Sequence, residues 1–93
     1  MDAPLETGAT GPLILFVAGD SPNSRAALAN LRRYLSTSGG SEDDIEIIDV
    51  FERPDIASMA SVLVTPALVR RSDPRTRILG DLSSRQQLSD FLL

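Results

Sequence analysis

The chain has 93 residues, a length that bounds it to one domain with a single modest core. Hydrophobic residues make up 42% and charged residues 24%, an ordinary balance for a soluble globular chain, and no apolar run approaches the roughly 20 residues that a bilayer-spanning helix needs. Cysteine and histidine are both absent, which removes thiol redox chemistry, disulfides and the commonest general base and metal ligand. The formal net charge is −4 and all 9 basic residues are arginine, which argues against general nucleic-acid binding.

Residues 1–11 carry Asp, Pro, Thr and Gly without the basic start and apolar centre of a secretory signal, so they read as a flexible tail before a domain over residues 12–93. The expected location is cytoplasmic, with no membrane partner. Leu13, Ile14, Leu15, Phe16, Val17 and Ala18 form an unbroken apolar run, the pattern of a strand covered on both faces. Gly19 and Asp20 supply a turn, Ser21 stands at a helix N-cap and Pro22 fits the first helical position. Leu28, Leu31 and Leu35 then repeat at helical spacing with Ala27 and Tyr34 beside them, while Arg25, Ala29, Arg32, Arg33 and Ser36 collect on the other face.

Gly39 and Gly40 end that helix in a polar loop over residues 37–44. Ile45, Ile47, Ile48 and Val50 predict a second strand, and strand, helix, strand in this order implies a right-handed parallel crossover. Pro54 opens a short second helix on the stripe Ile56, Met59 and Ala60, with Arg53 a poor cap. Pro66 sits at the entry to a third strand, Ala67–Val69, where its missing amide need not belong to the ladder and where the Thr65–Pro66 bond is a candidate for the cis form. Ser72, Asp73 and Pro74 predict a turn into a fourth strand over Thr76–Leu79. Ser83 with Gln86 has capping-box spacing for a final helix that packs Leu88, Phe91 and Leu92. The expected fold is α/β, βαβαββα, with a four-stranded mixed sheet and three helices.

Three clusters have a bland and a sharp reading. Ser21 and Ser24 have the spacing of a CxxC pair at a helix start, but a hydroxyl has no comparable redox couple and no histidine is present to activate a serine nucleophile, so Ser21 reads as a cap. Thr65 and Pro66 form either a partner-facing loop or a device that shapes strand entry. Arg70, Arg71, Arg75 and Arg77 form either a solvated hairpin face or an electrostatic footprint for an acidic partner, and Arg25, Arg32 and Arg33 invite the same comparison. No residue set points to catalysis, a metal or a cofactor.

The element order, with a proline opening the third strand, resembles the thioredoxin fold. Four strings narrow it: FVAGDSPNS over Phe16 to Ser24, IDVFERP over Ile48 to Pro54, VTPAL over Val64 to Leu68 and ILGDLS over Ile78 to Ser83 resemble the KaiB family of circadian-clock proteins. The resemblance implies a non-catalytic adaptor that docks on the ATPase ring of the hexameric KaiC, with KaiA or a sensor histidine kinase as further partners; the alternative reading is a stand-alone sensor or oligomerisation module for a signalling histidine kinase or a stress response. It places the partner-binding surface on the first helix, the second strand and the ground between them, at Arg25, Arg32, Arg33, Glu46, Thr65 and Pro66. It also implies a second, ground-state fold, βαββααβ, associated with a homo-oligomer. Pro74 opposes the uninterrupted helix that this second state needs across Val69–Arg77, at a cost of roughly 3 kcal/mol, so the thioredoxin-like state is expected to dominate. Arg53 in place of the family's usual Asn, Ser84 in place of its usual acidic residue, and the lack of lysine mark a divergent paralogue.

Overall fold

A computed structural model of the chain describes residues 11–92; the tail expected over residues 1–11 lies, Gly11 apart, outside them. The apolar run becomes β1 (Leu13–Val17), every residue of which is buried. It is followed by α1 (Pro22–Ser38), a 3₁₀ turn (Glu42–Asp44), β2 (Ile45–Asp49), α2 (Pro54–Met59), β3 (Ala67–Arg70), β4 (Asp73–Leu79) and α3 (Arg85–Leu92). The sheet order is β2-β1-β3-β4, with β2 parallel to β1 and both remaining pairings antiparallel. This is the expected βαβαββα arrangement with a four-stranded mixed sheet.

Strand alternation sends Leu13, Leu15 and Val17 to one face of β1, where they meet Ala27, Leu31 and Leu35 of α1 and Leu88 and Phe91 of α3. Ile14 and Phe16 point the other way, into a smaller layer with Ile48, Ile56, Ala57, Ala60, Ala67 and Val69 beneath α2. Two helices therefore cover one face and α2 the other, which is why β1 carries no polar residue. On α2 the inward stripe is Ile56, Ala57 and Ala60; Met59, expected inside, is 67% exposed.

Both ends of α1 are closed by the residues the sequence nominates. The Ser21 side chain accepts from the Ser24 amide, and Pro22 occupies the first turn. At the far end Gly39 takes the left-handed conformation, φ +83°, and the amides of Gly39 and Gly40 both donate to the Leu35 carbonyl. The cap of α3 differs from expectation. Ser83 lies outside the helix, its amide donating to Asp81 Oδ1, while Ser84 Oγ accepts from the Gln87 amide at 3.2 Å and Gln86 turns to Asp90. Ser84→Ala should thus lower stability by about 1 kcal/mol, a fall of roughly 4–8 °C in Tm, and Ser83→Ala by only a few tenths of a kcal/mol, as read by thermal circular dichroism.

The fourth strand starts earlier than its composition suggests. Arg70 pairs with Asp73 and Val69 with Arg77, so Pro74, Arg75 and Thr76 are inserted opposite the Val69–Arg70 step and form a bulge. β4 is an edge strand, where a proline removes no ladder bond. Three of the four clustered arginines are likewise turned inward rather than solvated. Arg70 donates to the Phe91 carbonyl and lies 5.1 Å over the Phe91 ring, tying β3 to the C-terminal end of α3. Arg77 reaches the carbonyls of Ala60 at 2.7 Å and Ser61 at 3.2 Å, closing the C-terminal end of α2. Arg71, 8% exposed, donates to the Gly11 carbonyl and to Glu46 Oε1, each at 2.5 Å. Only Arg75 of the four is well exposed, with Asp73 4.0 Å away.

Candidate functional site

The exit of β1 is where the polar and apolar loops of the sheet converge. Ser21 donates to Ser24 Oγ at 2.8 Å, and Ser24 Oγ accepts the Ala18 amide at 3.1 Å, so the buried Ser24 ties the start of α1 to the end of the strand. This network gives both serines of the SxxS pair a structural task. Asp49, the last residue of β2, accepts the Gly19 amide at 3.1 Å and the Phe51 amide at 2.9 Å through the same oxygen. One carboxylate thus locks two loops together and aims Phe51 outward, 74% exposed. Gly19 has φ +56°, and a Cβ there would stand 3.6 Å from the Phe51 ring.

On the other side of β1 the cis Thr65–Pro66 bond brings the preceding loop alongside the same exit. Phe16 is the partner of Ala67, so the chain before Ala67 runs back past Val17 and Ala18. Pro66 is buried, its carbonyl accepting the Gly80 amide at 2.9 Å. The residues before it are open: Leu63 is 93% and Val64 53% exposed. Leu79, at the end of the neighbouring edge strand, is also exposed. Contiguous apolar exposure of this kind marks interaction surface more often than scattered single residues do.

The six residues nominated as partner-binding do not form one patch. Thr65, Pro66 and Arg25 lie at the β1 exit, with Arg25 3.7 Å from Asp20. Arg32 and Arg33 lie on the exposed face of α1, Arg32 bonded to Glu42 at 2.5 Å and Arg33 to Asn30 at 3.3 Å. Glu46 is at the opposite end of the sheet, one residue into β2, held by the buried Arg71. Sequence reasoning missed Asp49, Phe51, Leu63 and Val64. The available signal was an Asp closing a strand beside an aromatic, and an apolar triplet ahead of a proline that bars it from the ladder. At the start of α2, Asp55 has its carboxyl held below the usual range by the side-chain hydrogen bond from Arg53, whose guanidinium is raised in turn.

Among the described residues no group of three or more acidic, cysteine or histidine side chains is placed to hold a metal ion, and no helix is long and apolar enough to cross a membrane. A cavity of about 530 Å³ opens at the other end of the sheet, between the C-terminal ends of α1 and α3, and none of the nominated partner-binding residues lines it.

The fold defines a thioredoxin-like domain, at whose β1 exit Ser21 and Ser24 bond each other and the strand end. Mitochondrial thioredoxin 3 of Saccharomyces cerevisiae superposes with a TM-score of 0.61 at 22% identity, over 84% of this chain and 72% of that one. The KaiB domain model matches residues 14–93. The circadian clock protein KaiB3 of Synechocystis sp. (strain ATCC 27184 / PCC 6803 / Kazusa) is 36% identical over 82% of this chain and 76% of its own. A circadian clock oscillator protein KaiB of Prochlorococcus marinus is 40% identical over 82% of this chain and 66% of its own. The chain belongs to the KaiB family.

Proposed function

We propose that this protein is a KaiB-like adaptor, without chemistry of its own, that binds the ATPase ring of a KaiC-type partner through the β1 exit and the adjoining surface of α1. The observation that carries the reading is the apolar side chains Phe51, Leu63 and Val64 exposed around one strand end in a chain whose relatives are named clock proteins. An enzyme has reason to enclose its reacting groups; a docking surface presents apolar anchors to solvent until a partner covers them. Arg25 at the rim, and Arg32 and Arg33 along α1, fit a polar border whose charges act on encounter rate and register more than on affinity.

Mixing the protein with a KaiC-type hexamer and nucleotide, then running a sizing column after hours of incubation, should move this chain into the ring fraction. Its elution at the free position across a range of concentrations would count against the reading.

A further inference from the structure

We infer that the segment Leu63–Thr65 is an open main-chain docking strip that accepts an extended, apolar segment of the partner carrying a basic residue opposite Glu52. The inference rests on the function proposed above and names the kind of structure that the site takes. The amides and carbonyls of Leu63, Val64 and Thr65 have no hydrogen-bond partner among the described residues. The neighbouring backbone is fully engaged, with Val62 donating to Ala57, Ser61 accepting from Arg77 and Pro66 accepting from Gly80. Three consecutive residues are therefore left unbonded between two fixed points, beside a sheet. The strip is a loop that bends at Val64 and Thr65 ahead of β3, and its open main-chain groups can bond an extended incoming segment while Leu63 and Val64 supply apolar contacts.

The side chains fit that use. Leu63 and Val64 are exposed on one side of the β1 exit, and Phe51 on the other, where β2 leaves the sheet. With β1 between them the two sides are about 10 Å apart, two strand spacings, a width that an extended segment and its side chains bridge. The fourth strand's own outer edge is less receptive, because Pro74 and the bulge interrupt it.

Charge selects the occupant. Arg25 is answered by Asp20, and Arg53 by Asp55, whereas Glu52 has no ion-pair partner among the described residues and is exposed next to Phe51. A basic residue flanking the apolar stretch would meet it, and an acidic one would be repelled.

Amide hydrogen exchange of the full chain, free and saturated with the KaiC-type ring, tests this. Exchange at Leu63, Val64 and Thr65 is expected to slow by about tenfold or more in the complex. Leu63→Asp, at a position too exposed to matter for folding, is expected to weaken Kd about tenfold with Tm unchanged, and Glu52→Lys to weaken it further in low salt than in high. A complex that forms with these three amides exchanging as in the free protein would overturn the docking strip and leave the proposed function standing. Absence of any complex with the unsubstituted chain would overturn both.

Discussion

Arg71→Met is expected to cost about 3–5 kcal/mol, against a total of roughly 5–15 kcal/mol for a domain of this kind. The reason lies in what the guanidinium leaves behind. Its side chain is 10% exposed and that of Glu46 23% exposed, so the Glu46 carboxylate would lose its charged partner where little water can replace it. The same guanidinium holds the Gly11 carbonyl, and the Arg71 main-chain amide donates to Pro12 at 2.9 Å. The residue that follows β3 thus fixes the entry of the adjacent β1 and, beyond it, the start of β2. Urea denaturation should show the loss as a lower midpoint at constant m value. The double substitution Arg71→Met with Glu46→Leu should recover much of it, because burying a pair costs more than burying its apolar replacement while orphaning one charge costs most. A loss of no more than about 1 kcal/mol for Arg71→Met would group the pair with ordinary surface ion pairs.

The larger loss would also locate Glu46 within the fold's scaffolding rather than on a docking face. Position in sequence does not separate the two roles, because Glu46 and Arg71 are 25 residues apart and meet only once the order β2-β1-β3 is assembled. The same distinction runs through the chain. β1 and α1 are legible because their signals are local: an unbroken apolar run, a serine and a proline before a helical stripe, glycines after it. The bulge at Pro74 is not local, since a proline within a strand is admissible only where the strand forms an edge, and the edge is a property of the whole sheet.

The helix cap was ambiguous at the level of spacing. Ser83 with Gln86, and Ser84 with Gln87, both satisfy the capping-box interval, and the backbone decides between them. Leu82 at φ +60°, together with the Asp81 side chain on the Ser83 amide, turns the chain so that Ser84 is the first residue facing the helix. At the candidate site, Thr65 and Pro66 could be named from sequence because a proline at strand entry is conspicuous. Phe51 and Leu63 could not. An apolar residue announces burial, and only the assembled fold shows that these two stay outside.

Phe16→Ala is expected to destabilise the fold by about 3–5 kcal/mol and to do so unevenly. Phe16 is fully buried and is the one aromatic side chain of the layer beneath α2, where its neighbours are Ile14, Ile48, Ile56, Val69 and three alanines. α2 brings little of its own to hold it in place: it has six residues, no side-chain cap at its start, and its far end depends on Arg77. Removing the ring should therefore release α2 and the loop to Pro66 before it loosens α1 or α3, which share the larger layer on the other face. Native-state hydrogen exchange would show α2 amides exchanging through a lower-energy opening than those of α3, with ring binding lost at temperatures where the remainder is still folded. Equal acceleration in α2 and α3 would mean that the two layers unfold as one unit, and that the docking surface has no stability separate from that of the whole domain.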